Sequence, residues 1–259
     1  MITTHADEQG FEAVLTAQFT EIDVVCQAVQ VFLDRQDLQH ISFAILLGIR
    51  EALTNAIQHG SGLDPEKEIR FSLARRGDTL TLMTVDQGPG FNWRQAAKVE
   101  AENLSESGRG ISILYHYFEE VQFNEAGNEL FLFKELTGKA GATKLRTGHD
   151  PAITTEERSV MSEIQKDAET VTIKPGCDIV ASMLDGLKAE LKELAGSGCA
   201  RLVIDFTEVR MIDSMGIGLL IAAYNSLKQK GAALELLHVS EEITTLFKHM
   251  RLNQHFTIS

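Results

Sequence analysis

Three polar residues recur at an even spacing in the stretch REALTNAIQHG: Glu51, Asn55 and His59 are each four residues apart. In a helix, residues at this spacing lie on one face, so a carboxylate, an amide and an imidazole would form one polar stripe. Asparagine is a middling helix former that an ordinary helix surface easily avoids. The stripe indicates either a face with a chemical task or a solvated face, and the stretch alone leaves both open.

Two glycine-rich stretches follow downstream. DQGPGF places Asp86, Gly88 and Gly90 at the end of a strand-like run. ESGRGISIL places Gly108 and Gly110 just before a helical run. Glycines let backbone N–H groups approach a ligand, and the positive end of a helix suits a phosphate. An ordinary turn explains each glycine pair separately, but the order of the three stretches indicates a nucleotide site without a P-loop.

A serine stands between a strand-like run and a helix-like run in the stretch VRMIDSMGIG. At the start of a helix, the hydroxyl of Ser214 can cap free backbone N–H groups, which is a common role for serine. The same position exposes the hydroxyl to a kinase, and phosphorylation would add about −1.5 to −2 charges beside Asp213. The stretch alone does not separate a cap from a phosphorylation site.

The elements that must position the first two motifs follow from the hydrophobic pattern. Apolar residues at helical spacing predict helices over 21–34 and 41–59. Two alternating runs predict a β-hairpin that turns at Gly77-Asp78. A short helix over 111–120 and a closing strand pair up to residue 136 complete the region.

Strands alternate with helices in the second half of the chain, which predicts a mainly parallel sheet covered by helices. The helices of this half are predicted over 179–194, 215–228 and 241–252. The polar stretch between the two halves has no sustained apolar period and is predicted to be a linker. The expected organisation is a tail at 1–10, a first domain at 11–137, a linker at 138–162 and a second domain at 163–259.

Composition excludes several classes of function. The net charge of −13 argues against a nucleic-acid surface, because phosphate binding needs clustered lysine and arginine. No run of about 18 apolar residues is present, so no membrane span is expected. The N-terminal stretch lacks the basic and apolar segments of a signal peptide, and we expect a cytoplasmic protein.

The first half resembles the GHKL (Bergerat-fold) ATPase domain, and most of all its anti-sigma-factor serine kinases, through EALTNAIQHG, DQGPGF and GRGISIL. The resemblance implies an ATP-binding α/β sandwich, with a mixed sheet and helices on one face. It also implies that Asn55 binds Mg²⁺ through its amide oxygen. Asp86 would then accept a hydrogen bond from the adenine amine, while Gly88 and Gly90 let the chain turn under the base.

The same resemblance assigns the remaining motif residues. Gly108, Arg109 and Gly110 would lie in the lid over the phosphates, with Arg109 in a charge-assisted contact. Glu51 would be the base that takes the proton from a substrate serine. His59 is interpreted as a helix-end or structural residue, with a phosphate contact as the alternative. The family often carries Gly-Thr on the closing strand, where this chain has Asn128 and Glu129.

The second half resembles the STAS domain of anti-sigma-factor antagonists, through LVIDFTEVRMIDSMGIGLLIAAYNSL. In that family the serine at the position of Ser214 is phosphorylated by a GHKL serine kinase. Met215 stands where a serine or threonine often follows, so a second phosphorylation site there is excluded. The loop KPGCDIV departs from the family pattern but keeps its acidic residue at Asp178.

Together the two resemblances imply a partner-switching regulator: an ATP- and Mg²⁺-dependent serine kinase fused to a STAS domain. Its partners would be other STAS proteins or a sigma-factor-like protein and a PP2C-type phosphatase, with a homodimer formed through the kinase domain. The alternative is a sequestration scaffold that binds ATP without catalysis. The sequence leaves open whether Ser214 is modified by its own chain or by another.

Overall fold

The computed structural model describes residues 2–7, 9–91, 108–136, 162–167, 169–196 and 198–259. The chain divides into two compact units. The predicted linker lies outside the described residues except for Ser162. No helix in the described part is long and apolar enough to cross a membrane. The first unit comprises Met1–Gly138 with Asp213–Met215, and the second comprises Lys139–Ile212 with Gly216–Ser259.

A six-stranded sheet forms one layer of the first unit. Its strands are β1 Thr3–Ala6, β2 Gly10–Thr16, β3 Glu68–Arg76, β4 Thr79–Val85, β5 Glu120–Phe123 and β6 Glu129–Glu135. They lie in the order β1-β2-β3-β4-β6-β5. The predicted hairpin is confirmed as β3 and β4, with Gly77 in the left-handed region (φ 60°) between them.

The predicted α/β class is confirmed, but the expectation of a mixed sheet in the first unit is wrong. Every neighbouring pair of its six described strands is antiparallel. The chain does cross over between β4 and β5, which run in the same direction. Strand β6 lies between those two and opposes both, so no parallel neighbours arise.

Alternation along the strands turns one row of apolar side chains into the core. The register places Phe11, Leu73, Leu82 and Leu132 side by side across four strands. Helix α1 (Phe19–Arg35) adds buried residues at helical spacing, which gives it one apolar face toward this core. These are Ile22, Val25, Cys26, Val29, Phe32 and Leu33.

Helix α2 (Ser42–Asn55) is the central element of the first unit. Ten of its 14 residues are buried, and it contacts α1, α3 (Arg109–Tyr117), β4 and β6. A helix that is buried on nearly all sides is held rigidly by packing. The predicted helix over 41–59 does not continue as α-helix to its end, because Ala56–Gly60 forms a π turn, a feature often found at functional sites.

The first ten residues are not only a tail, because Thr3–Ala6 pairs with β2 as an edge strand. All four residues of that strand are exposed, so the sequence has no apolar alternation to reveal it. The helix predicted over 111–120 ends at Tyr117 instead. Phe118 turns into the core in an extended conformation, and Glu120 begins β5.

The second unit has a five-stranded sheet and three α-helices among its described residues. The elements are β7 Glu163–Asp167, β8 Thr170–Lys174, α4 Leu184–Gly196, β9 Arg201–Asp205, α5 Ser214–Gln229, β10 Ala233–Leu237, α6 Glu241–His249 and β11 Thr257–Ile258. The strands lie in the order β11-β10-β9-β8-β7. Strands β8 to β11 run parallel and β7 is antiparallel, which confirms the predicted mainly parallel sheet.

Two helix ends in this half differ from prediction. Ile179 is extended and forms a parallel bridge with Ile212, so α4 begins only after a 3₁₀ turn at Ala181–Met183. Helix α6 stops at His249 because Arg251 takes a left-handed conformation (φ 55°). Asp178 accepts hydrogen bonds from the N–H groups of Arg210 and Met211, at 2.8 and 2.9 Å, which ties down the loop that leads to α5.

Two glycines in equivalent helical positions test this packing. Gly216 is the third residue of α5, and an added Cβ would overlap the carbonyl oxygen of Ile179. Gly186 is the third residue of α4 and has open space around it. We expect Gly216→Ala to lower the free energy of unfolding by about 1–3 kcal/mol through overpacking. Gly186→Ala should leave it unchanged or raise it by up to about 1 kcal/mol.

Urea unfolding followed by far-ultraviolet circular dichroism measures both variants. Equal free energies of unfolding for the two alanine variants would show that α5 does not pack tightly against Ile179.

Candidate functional site

Glu51 lies in the last turn of α2 with no exposed surface. Both of its carboxylate oxygens accept hydrogen bonds from one residue. The hydroxyl of Ser214 donates to Oε2 at 2.6 Å, and the backbone N–H of Ser214 donates to Oε1 at 2.8 Å. Ser214 is the first residue of α5, and its hydroxyl hydrogen is directed to the carboxylate. A carboxylate and a serine hydroxyl at this distance can exchange a proton.

Burial and a neighbouring acid set the proton affinity of this carboxylate. Loss of solvation, followed by the nearby charge of Asp213, raises the pKa of Glu51 to about 8. The hydrogen bonds from Ser214 and the charge of Arg109 act in the opposite direction. Asp213 is itself only 1% exposed. Glu51 therefore changes its charge near neutral pH, in the range useful for a general base.

Asn55, one turn after Glu51, is half-buried at the end of α2. Gly110 lies close to both: an added Cβ there would be 2.5 Å from Glu51 Oε2 and 3.6 Å from Asn55 Nδ2. No cluster of three or more His, Cys, Asp or Glu side chains among the described residues could hold a metal. One amide oxygen fits Mg²⁺, since this ion keeps several waters and takes its other ligands from substrate phosphates.

Asp86 follows β4 and is partly buried. Its Oδ1 accepts a hydrogen bond from the N–H of Gly88 at 2.7 Å, and desolvation raises its pKa. Gly60, at the end of the π turn, packs directly on its carboxylate, and an added Cβ would overlap it. An added Cβ on Gly88 would overlap the carbonyl of Gly60. These glycines are needed for close packing around Asp86.

The second glycine pair begins helix α3. Gly108 precedes the helix with φ 120°, a conformation that L side chains rarely adopt, and Arg109 is its first residue. Arg109 is 8% exposed and electrostatically favours the charged form of Glu51. The positive end of α3 and the buried guanidinium of Arg109 thus lie near Glu51. Gly90, in the other glycine pair, also has a positive φ (74°) and lies against the carbonyl of Ala126.

The structure separates His59 from the polar stripe that the sequence predicts. Glu51 and Asn55 belong to α2, whereas His59 lies in the π turn and is exposed. A π turn has more residues per turn than an α-helix, so the four-residue spacing no longer keeps residues on one face. The solvated interpretation of the stripe fits His59 and is wrong for Glu51.

Asn128, where the related domains often carry glycine-threonine, closes a tight turn. Its side chain accepts from Asn124 Nδ2 at 2.8 Å and donates to the carbonyl of Asp86 at 3.4 Å. The N–H of Asp86 donates to the carbonyl of Asn128 at 3.0 Å. Asn128 therefore supports the backbone of Asp86.

Sequence reasoning missed three residues of this region. The sequence alone gives no separate role to Asp213, Gly60 or Gln58. Gln58 Nε2 lies 3.2 Å from the sulfur of Met215, as a donor. No local spacing in the sequence links Asp213 to Glu51 or Gln58 to Met215, because residues separated by more than 150 positions meet only in the folded chain.

Replacing Glu51 by glutamine should remove a pH dependence of stability. Between about pH 4.5 and 8 the folded chain keeps a proton on Glu51 that the unfolded chain releases. The free energy of unfolding of the wild type therefore falls as the pH rises through this window. The free energy of unfolding of Glu51→Gln, relative to that of the wild type, should therefore rise by a few kcal/mol between pH 5 and 8, at about 1.4 kcal/mol per pH unit.

Urea denaturation at a series of pH values measures this difference. Glu12→Gln, at an exposed position on β2, is the matched control and should show no comparable gain. If the difference in free energy of unfolding between Glu51→Gln and the wild type did not change with pH, a raised pKa for Glu51 would be contradicted.

Comparison with known proteins agrees with the two halves of the chain. The family model of the histidine kinase-like ATPase domain matches residues 15–134, and that of the STAS domain matches residues 158–259. The anti-sigma F factor of Anoxybacillus flavithermus is 33% identical over 96 residues, covering 34% of this chain and 66% of that protein. The chain thus spans just under two thirds of the length of this relative.

Two solved structures are similar to part of this chain. An anti-sigma factor antagonist from Mycobacterium paratuberculosis is 15% identical, covers 40% of this chain and 89% of its own, and has a TM-score of 0.36. The phosphorylated Bacillus cell fate determinant SpoIIAA is 18% identical, with coverages of 38% and 91% and a TM-score of 0.33. The two family matches confirm both resemblances seen in the sequence. The chain joins a histidine kinase-like ATPase domain, at residues 15–134, to a STAS domain, at residues 158–259.

Proposed function

We propose that the chain is an ATP-dependent protein-serine kinase that phosphorylates a serine at the start of a STAS helix. The observation that carries the proposal is the 2.6 Å hydrogen bond from the Ser214 hydroxyl to the buried carboxylate of Glu51. In phosphoryl transfer, most of catalysis is positioning and electrostatic stabilisation, so a carboxylate at the nucleophile is the main chemical group required. Glu51 would accept the hydroxyl proton.

The other motif residues have roles that fit this chemistry. Asp86 would accept from the exocyclic amine of adenine, and Gly88 and Gly90 would let the backbone pass close to the base. Arg109 and the start of α3 would contact the phosphates. Asn55 would hold Mg²⁺, which neutralises phosphate charge when bound. The charge of Arg109 favours the ionised form of Glu51, the form that accepts a proton.

The biological role that we propose is partner switching. The relative from Anoxybacillus flavithermus is an anti-sigma F factor, and this chain adds a STAS domain. It would bind a sigma-factor-like protein or a separate STAS protein in the cytoplasm, and a PP2C-type phosphatase would reset the serine. A homodimer through the ATPase domain completes the proposal.

A second function is favoured by one observation. Asn128 is engaged in supporting Asp86, at a position where the family often offers a threonine to adenine. A chain with weaker nucleotide contacts would act as a sequestration scaffold that binds ATP without transferring phosphate. Phosphate transfer to serine distinguishes the two functions.

Removal of the base should abolish transfer without abolishing ATP binding. With Mg²⁺ and γ-labelled ATP, Glu51→Gln should reduce the initial rate of serine phosphorylation about 100-fold or more. Its ATP affinity should stay within about twofold of wild type, because only an interaction of the reacting hydroxyl is lost. Label on Ser214 is identified by mass spectrometry, and Ser214→Ala is the control for the site.

A wild-type rate in Glu51→Gln would remove Glu51 as the base. ATP binding by the wild type without transfer to any serine would establish the scaffold function.

Adenine recognition is tested at Asp86. Asp86→Asn keeps an oxygen for the Gly88 N–H but replaces the second acceptor by a donor, which opposes the adenine amine. A buried donor facing a donor costs about 1–3 kcal/mol, so we expect ATP affinity to fall about tenfold or more. Calorimetric titration measures it, and Asp78→Asn in the exposed hairpin turn is the matched control. Unchanged affinity would place adenine elsewhere.

A further inference from the structure

We propose that Ser214 of the same chain is the resident substrate of Glu51, so that phosphate is transferred within one chain. The inference rests on the proposed kinase function and deepens it by naming the substrate. Both oxygens of the Glu51 carboxylate are engaged by Ser214, Oε2 by its hydroxyl and Oε1 by its N–H. A serine from another molecule would have to displace both hydrogen bonds before it reached the base.

The residues on both sides of Ser214 also belong to the first unit. The residue before it, Asp213, is 1% exposed and acts electrostatically on Glu51. The residue after it, Met215, accepts from Gln58 Nε2 through its sulfur at 3.2 Å. Hydrogen bonds at two consecutive residues, Ser214 and Met215, therefore fix the hydroxyl relative to α2 and the turn that follows it. An oriented hydroxyl is what phosphoryl transfer requires, because misplacement of a reacting atom by about 1 Å costs about 100-fold in rate.

The transfer step balances with groups present in the chain and ATP as the phosphoryl donor. The Ser214 Oγ–Pγ bond forms while the bond between Pγ and the β–γ bridging oxygen breaks, and ADP leaves with that electron pair. The hydroxyl proton passes to Glu51 Oε2, which already accepts its hydrogen bond. The proton then leaves to solvent.

Phosphorylation removes the interaction that holds the serine in place. The modified Oγ has no hydrogen left to donate to Glu51, and its phosphate carries about −1.5 to −2 charges beside two carboxylates, Glu51 and Asp213. Like charges in a buried site repel strongly. Each chain thus modifies itself once.

Two co-expressed, differently tagged variants test the inference. Ser214→Ala retains the base but has no acceptor, and Glu51→Gln retains the acceptor but has no base. Transfer within a chain predicts that phosphate on Ser214 of the Glu51→Gln chain stays below about one hundredth of the wild-type level, since an intramolecular partner has an effective millimolar concentration. Co-expression allows mixed dimers to form, so transfer between subunits is also detected.

The kinetic order is the second measurement. The initial rate per wild-type chain should stay constant over about a hundredfold dilution. Label on the Glu51→Gln chain, or a rate proportional to concentration, would overturn transfer within the chain and leave the kinase function standing. Wild-type transfer to a separate STAS protein but not to Ser214 would do the same. Transfer to no serine at all would overturn both.

Discussion

A buried carboxylate is the constraint around which the first unit is organised. Glu51 has no exposed surface, and an uncompensated charge there would cost many kcal/mol. Two hydrogen bonds from Ser214 and the nearby charge of Arg109 offset part of this cost. Burial and the charge of Asp213 outweigh them, which leaves the pKa of Glu51 raised to about 8. The carboxylate is thus held in a state from which a change in local charge can ionise it.

Helix α2 and its continuation bring the chemical groups together. The proposed base and the proposed metal ligand lie in its last turns, and the π turn at Ala56–Gly60 packs Gly60 onto Asp86, which follows β4. One continuous segment therefore positions three functional groups. Its rigidity comes from packing on nearly all sides, against two helices and the sheet.

Under the proposed function, the same contacts would make one serine both the substrate and the resident partner of Glu51. A neutral hydroxyl satisfies the Glu51 carboxylate, whereas a phosphate cannot, because it accepts hydrogen bonds and repels Asp213. The difference between the two states lies in one covalent group at one position. A partner-switching regulator needs such an all-or-none local change, and a buried acidic pair makes it large.

The sequence by itself determined what depends on neighbours along the chain. Alternation predicted the hairpin of β3 and β4, and the strand–helix order predicted the parallel sheet of the second half, because both follow from local periodicity. The glycine and asparagine motifs are local patterns too, and the nucleotide-binding roles that they indicate stay predictions. The exposed edge strand Thr3–Ala6 has no such pattern and was missed.

Only the tertiary structure decided which polar residues are buried and what they meet. Four-residue spacing placed Glu51, Asn55 and His59 on one face, but packing buried the first, half-buried the second and turned the third to solvent. The change from a strand-like run to a helix-like run likewise marked Ser214 as the start of a helix. Its hydrogen bond to Glu51, however, joins residues 163 positions apart. Solvation and long-range pairing are set by elements distant in sequence, which is why no local pattern contains them.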